Sequence, residues 1–537
     1  MNESLPPETQ QRIRQHRLFY AVNGTALLLF AIVALRTAWV CDDAYITFRT
    51  IDNFVHGYGL TWNIIERVQT YTHPLWLFLN LLFYEITREA FFTSIYLSLI
   101  VSLTAVAVLI FGISESWRTS VFAFLVLVLS KAFMDFSTSG LENPLTHLLT
   151  VIFIYLYASR PRTLRTLGLL SLTATLGVLT RPDTALLYAP AVIVYFWSLR
   201  SWRSLLIILI GAIPLFVWEA FSVFYYGSFV PNTAYAKLST GIPEVELWKQ
   251  GGYYFLNSIT TDPLTLVAII AGIILPFVFR RRRLMPLAIG IIIYLIYILS
   301  IGGDFMSGRY FSVPLILAVA VILLMRLPWR LPVWSAATAA VLLLGLIPST
   351  CPIYTTANYG LTAGQYEKLR AGPGSNRESH NIMDERAFYF PWSSWLNAEP
   401  GEAMPDHDWA NQGRALRHEP PQLVTKSTVG YFGYFAGPYI HVLDNMALCD
   451  PLLSRLPASS RDSSWIIGHF TRDIPKGYIE TIRTGKNQIA DTSLAQFYDR
   501  LSYVTQAPLW NGKRIAEAVE LACGGYDHYL DAYIAKQ

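Results

Sequence analysis

The sequence predicts an α-helical polytopic membrane domain of about eleven transmembrane helices, followed by a soluble α/β domain on the outer face of the membrane. Three observations carry that prediction. Of 537 residues, 53% are hydrophobic and only 15% charged, and the mean hydropathy of +0.37 is far above that of a soluble chain of this length. The apolar residues recur in blocks of roughly 15 to 24 up to about residue 349, where the chain turns polar and rich in Asn, Asp, His, Gly and Pro. Arginines gather in the short connections between the blocks. The reading therefore divides residues 1–349, a transmembrane domain with an outer-face loop at 41–90, from residues 350–537, a soluble part long enough to bury a core of its own.

The N-terminal stretch carries Arg12, Arg14 and Arg17 ahead of the first apolar block and no small-residue cleavage site behind it, so it reads as a retained cytoplasmic anchor. Arg118, then Arg160, Arg162 and Arg165, Arg200 and Arg203, the run Arg280 to Arg283, and Arg326 with Arg330 occupy later connections. The positive-inside rule puts all of them in the cytoplasm. Because apolar blocks flank the four-arginine run closely, it is read as topogenic charge and not as a nucleic-acid contact.

Span one, 19–40, then delivers Asp42 and Asp43 to the outer face. The apolar run 74–84 is about half the length a span needs, so it is expected to form an interfacial or re-entrant helix. The remaining spans are expected at 91–113, 119–135, 144–159, 164–180, 185–199, 204–226, 263–279, 285–300, 311–326 and 332–349. This topology sends every polar motif outward: DDAYITFR, ERVQTYTHPLW, FSTSGLENPL, LTRPD, YGSFVPNTAYAK and IGGDFMSGRYF. Ionisable groups at membrane depth cost roughly 2.5–3.5 kcal/mol each on insertion scales, so a cluster of them at one boundary points to function.

Residues 43–56 place Ala44, Phe48, Ile51 and Val55 at helical spacing before Gly57, which predicts an amphipathic helix on the outer surface. Asp42 and Asp43 stand at its start. One of them suffices as an N-cap. The other is available to accept a proton from a sugar hydroxyl, to act as a nucleophile, or to hold a divalent cation, the one cofactor this pair suggests. Arg181 with Asp183, and Asp304 with Arg309, fall at outer ends of spans, where arginine is well shaped for phosphate. Local salt bridges within each pair are the structural alternative. Arg49, His73, Glu142 and Lys237 complete the candidate set for donor phosphate and sugar; Glu142 could instead cap a span, His73 sit at the interface, and Lys237 snorkel.

A first outer loop with DD, an amphipathic helix and a THPLW helix before span two resembles the class C glycosyltransferases, which use polyprenyl-phosphate sugars on the outer face of the membrane. More narrowly, DDAYITFR, GLTWNIIERVQTYTHPLW, SGLENPL, TRPD, VPNTAYAK, GGDFMSGRYF and YFGYFAGPYIHVLDNMALCDPLLSRLP with GHFTRDIPKGY, in that order along nearly the whole chain, look like the AftB-type arabinofuranosyltransferases of bacterial cell envelopes. The resemblance implies a decaprenyl-phosphate-arabinofuranose donor, an envelope glycan acceptor, residence in the bacterial cytoplasmic membrane, and Asp42 and Asp43 as the catalytic acidic pair. The chain is short and poor in Ala and Gly for an actinobacterial cell-wall enzyme, which leaves open a related transferase acting on a pilin-like protein or with another polyprenyl-phosphate sugar.

A flippase for a polyprenyl-linked saccharide is the alternative from a different class. It would place polar residues and broken helices at mid-membrane, often in repeated halves, whereas here the polar motifs collect at one boundary. In the soluble part, QLVTKSTVGYFGYF and YIHVLD read as β-type and KRIAEAVELA as helical. Aromatic and Asp-rich stretches such as MPDHDWANQG and GYFGYFAGPY suit either acceptor binding or a core, and Asp406, His407 and Asp408 lack further metal ligands at useful spacing. Cys41, Cys351, Cys449 and Cys523 all fall on the outer side, where a Cys449–Cys523 disulfide is expected, with Cys351 as the competing partner.

Overall fold

The computed structural model describes residues 7–238, 240–327, 330–362, 364–365, 380–459 and 465–536. They form two compact units. The first comprises Met1–Val40, Ser94–Gly211 and Gln250–Ala398; the second comprises Cys41–Thr93, Ala212–Lys249 and Glu399–Gln537. The compositional boundary at 349/350 thus falls inside the first unit, and the loop after span one belongs to the second.

The first unit is built around the helix Ser312–Leu324, which is buried from Ser312 through Leu323. A helix apolar on every face has no solvent side, and this one is surrounded by Trp117–Leu129, Asn143–Ser159, Pro263–Val278 and Met285–Ser300. Small residues let the backbones close up: a Cβ on Gly272 would stand 2.5 Å from the Ala318 Cβ. Apolar side chains also face outward, among them Leu28, Ile32, Ile100, Ile274 and Leu343. That outward apolar surface fits a helical membrane domain.

Among the described residues, two helices are long and apolar enough to cross a bilayer, Glu8–Arg36 and Phe91–Ile113, and two further bent pairs qualify when each is counted as one span. Several expected spans are shorter or interrupted. The 119–135 block stops at Leu129, where Ser130 caps the short helix Lys131–Asp135, and the 204–226 block breaks at Ala212 before Ile213–Tyr226. The 74–84 run forms the helix Pro74–Thr87, with Pro at its first turn and Arg88 in the left-handed conformation at its end.

In the second unit, β1 (Gln422–Lys426) and β2 (Ile440–Asp444) pair in parallel, with Gln422 opposite Ile440. The helix Gly430–Ala436 connects them. Only the first five residues of QLVTKSTVGYFGYF are therefore strand; the aromatic run is helical. The amphipathic helix forms as Asp42–Val55 with the expected stop at His56–Gly57, but Asp42 and ten of the residues Ala44–Asn53 are buried. It is a core element of this unit and not a half-exposed surface helix, because the 430–436 helix covers its otherwise polar side. The expected disulfide is absent: all four cysteines are free thiols, with Cys449 in the hydrophobic core and Cys523 exposed at a helix end.

Candidate active site

The candidate residues fall into two groups, one in each unit. In the second unit, Asp42 and Asp43 begin the Asp42–Val55 helix but neither caps it, since the N-cap position is Cys41 and no side-chain cap bond forms there. Asp42 caps a different helix. Its two carboxylate oxygens accept the Gly430 N–H at 3.0 Å and the Tyr431 N–H at 2.7 Å, the first orphan donors of Gly430–Ala436. Burial outweighs those donors and the neighbouring Asp43 adds to it, so the Asp42 carboxyl is pushed up to about 7.

Arg49 completes the grip. It lies seven residues on, about 10 Å along the helix axis and on the same face. Its Nη1 donates to the Gly433 carbonyl at 2.6 Å, its Nη2 to the Ile440 carbonyl at 2.9 Å and its Nε to the Trp62 carbonyl at 2.8 Å, with the guanidinium stacked 4.3 Å above the Trp62 ring. An acid on the N-terminus and a base on the C-terminal carbonyls both favour the 430–436 helix dipole. Arg49 is thereby committed to protein carbonyls and offers little to a donor phosphate.

Asp43 is different. It is half-buried and has no hydrogen bond or ion pair among the described residues. His73 accepts or donates at 2.9 Å to the Thr47 hydroxyl of the same helix. Lys237, on the helix Asn232–Leu238, is half-buried with no ion pair among the described residues.

In the first unit, Glu142 accepts from Arg181 Nη1 at 3.1 Å and from Arg309 Nη2 at 3.1 Å. Arg181 also forks onto Asp183, with Nη2 to Oδ2 at 2.7 Å, and lies 4.5 Å above the Tyr310 ring. Arg309 Nη1 stands 3.6 Å from Asp304. Both local salt bridges considered from the sequence are therefore present, and Glu142 joins them instead of capping its own helix. Burial alone would lower the two arginines, yet the facing carboxylates raise both. Two arginines face three carboxylates, so the group carries no spare positive charge for a phosphate. Its one buried unpartnered donor is Arg309 Nε.

A second ionic network was not foreseen. Lys131 bonds Asp135 and, at 2.9 Å, Asp384; Arg386 meets Asp135 at 2.6 Å, and the Tyr359 hydroxyl donates to Asp384 at 3.0 Å. The signal was Lys131 and Asp135 at i, i+4 directly after a serine cap. Alternating signs make this network self-neutralising and structural.

The cation suggested by the acidic pair has a poor fit. Both Asp42 oxygens face backbone donors, and the described residues contain no cluster of three His, Cys, Asp or Glu. Of Asp406, His407 and Asp408, His407 is the N-cap of the helix Asp408–Leu416, its Nδ1 accepting from the Trp409 N–H, and Asp406 accepts from the Asn411 side-chain amide at 3.0 Å.

No family model matches the chain. Among solved structures, the fold is similar to ArnT from Cupriavidus metallidurans bound to undecaprenyl phosphate, with a TM-score of 0.45 and 15% identity over 80% of this chain and 86% of that one. It is also similar to the archaeal oligosaccharyltransferase AglB from Archaeoglobus fulgidus, with a TM-score of 0.42 and 12% identity over 79% and 65%. In sequence, the chain is 26% identical over 348 residues to a terminal beta-(1->2)-arabinofuranosyltransferase of Mycobacterium tuberculosis, covering 56% of this chain and 55% of that protein. It is likewise 26% identical over 327 residues to the Corynebacterium glutamicum protein of the same name, covering 52% and 46%. The chain spans about half the length of the curated relatives it matches, and it resembles them as the ordered motifs anticipated.

Proposed function

We propose that this chain is a membrane glycosyltransferase that moves an arabinofuranosyl residue from a polyprenyl-phosphate donor to an envelope glycan on the outer face of the cytoplasmic membrane. The observation that carries the reading is the likeness to two terminal beta-(1->2)-arabinofuranosyltransferases. The apolar blocks support about eleven spans for the membrane domain, with the polar residues after 350 outside. Asp43, the acidic residue of the pair with a free carboxylate, is the proposed base. It takes the proton of an acceptor hydroxyl; that oxygen bonds the anomeric carbon as the carbon–oxygen bond to phosphate breaks, and the polyprenyl phosphate leaves with the electron pair. Lys237 is the proposed phosphate partner, supported by an ammonium that has no ion pair among the described residues. Asp42 and Arg49 hold the 430–436 helix, and no step is routed through a metal.

The test is transfer by the purified chain from radiolabelled polyprenyl-phosphate-arabinofuranose to an arabinan oligosaccharide. Labelled product is expected. Activity only with a different polyprenyl-phosphate sugar, or only onto a pilin-like protein, would replace the donor or the acceptor in this reading.

A further inference from the structure

Six buried or half-buried arginines of the second unit have no carboxylate within ion-pair distance among the described residues: Arg49, Arg67, Arg414, Arg455, Arg472 and Arg514; Arg414 is bound locally to Asn411, Ala403 and Pro405. Three of them use Nε and both Nη atoms on carbonyl oxygens. Arg49 does so as described above, Arg472 bonds the Leu456, Phe470 and Ala236 carbonyls, and Arg514 bonds those of Val504, Phe224 and Tyr225. These three are structural struts.

Arg67 and Arg455 are not saturated in this way. Among the described residues, Arg67 donates only through Nη2, at 3.0 Å to Val504 and 2.6 Å to Ala507, and its buried Nε has no partner. Arg455 donates through Nη1 to the Pro451 carbonyl at 2.6 Å, and its guanidinium lies 4.2 Å above the Tyr235 ring. Each is thus held through one Nη atom, Arg455 being drawn to the Tyr235 hydroxyl as well, and neither spends its full set of donors on carbonyl oxygens among the described residues. Arg67 and Arg455 line the same open cleft, completed on its polar side by Gln69, Asn232, Tyr235 and Thr505.

We propose that this cleft is a binding site for an oxyanion, a phosphate or carboxylate group of a ligand seated between Arg67 and Arg455. Rigid, partly desolvated guanidinium groups with free donors are the arrangement that recognises such groups, and they bind with little ordering cost. Burial lowers both arginines, so a bound anion would relieve a desolvation cost that no ion pair now offsets. Asp450 and Asp527 act on Arg455 through space. Asp450 is already engaged by the Leu452 and Leu453 amides and the Tyr478 hydroxyl. The cleft shares no residue with Asp42, Asp43, Lys237 or Arg309, so the inference stands apart from the transfer reaction.

Titration calorimetry with inorganic phosphate on the full chain in phosphatidylcholine nanodiscs tests it. Binding is expected, with at least tenfold loss in Arg67→Met/Arg455→Met. Arg67 also holds the end of the 492–506 helix, so Arg455→Met, which gives up far less of the fold, is measured separately and should weaken binding several-fold. Equal phosphate affinity in wild type and Arg455→Met, or no binding by wild type, would overturn the site. Exchanging half the lipid for phosphatidylglycerol distinguishes the source. A weakened phosphate response identifies a lipid headgroup and an unchanged one a soluble ligand, and either leaves the oxyanion site in place.

Discussion

Asp42 holds the Tyr431 amide at 2.7 Å through one carboxylate oxygen while the other holds the amide of Gly430, so the first aspartate of the DD pair is a helix cap in trans. The two aspartates should then fail differently. Asp43→Asn should lower transfer by about 10²–10⁴-fold, with its unfolding midpoint unchanged. Asp42→Asn turns an amide NH₂ toward a backbone N–H and should cost about 1–3 kcal/mol of stability. Thermal unfolding and initial rates of both variants decide the matter; an Asp42→Asn protein as stable as wild type would remove the capping role.

The same contact constrains position 430. A Cβ there would stand 1.8 Å from the Asp42 carbonyl oxygen and 2.7 Å from its Oδ2. Gly430→Ala must therefore push the 430–436 helix away from the DD segment. Its expected effect is a lowered unfolding midpoint together with loss of transfer, even though alanine is the better helix former. Stabilisation by this change would contradict the close approach.

Burial raises several carboxyls of the second unit, among them Asp42 and Asp444 to about 7, Asp450 to about 6 and Glu66 to about 8. Folded, each holds its proton more tightly than the unfolded chain does, so its contribution is full below about 4 and is lost as pH rises through the folded value. His407 and His441, lowered to about 4 by burial, oppose this below about 6.5. Above that point the carboxyls act alone. The unfolding midpoint should fall from pH 6.5 to 8, and Glu66→Gln should flatten the upper part of that slope. A midpoint rising across the interval would show these carboxyls to be ionised in the fold.

Glu142 lies between two guanidinium groups at 3.1 Å each, and its side chain is almost wholly buried. Removing it leaves two cations facing each other across a desolvated gap. Glu142→Ala should destabilise the protein by about 3–5 kcal/mol, far more than an exposed ion pair would. Chemical unfolding in mild detergent measures this, and a loss below about 1 kcal/mol would mean that the guanidinium groups do not depend on Glu142.

What the sequence made legible was local. Spacing alone located the helices at 42–55 and 74–87, because i, i+4 apolar repeats and a proline at the first turn are carried by neighbouring residues. The role of Asp42 was not legible, since its partners lie 388 and 389 residues away and an acid at a helix start looks like that helix's own cap. GYFGYF reads as strand by its aromatics, but the Asp42 and Arg49 contacts at its two ends make it helical, a tertiary override of local preference. The 119–135 block was read through Lys131 and Asp135 because hydropathy averages over a buried ion pair.

The four thiols give the last test. Cys41, Cys351 and Cys449 are buried and Cys523 is exposed, with no disulfide among them. A maleimide should therefore modify one thiol per native chain and four after denaturation without reductant. Two thiols under denaturing, non-reducing conditions would restore the expected bridge. The same exposed residue reports sidedness. In the proposed topology the donor lies in the outer leaflet and the C-terminal part on the same side. A membrane-impermeant maleimide should thus label Cys523 on intact cells, whereas a cysteine placed at Arg282 should react only after permeabilisation. The reverse pattern would put Asp43 on the side of the membrane away from such a donor and end the proposed reaction.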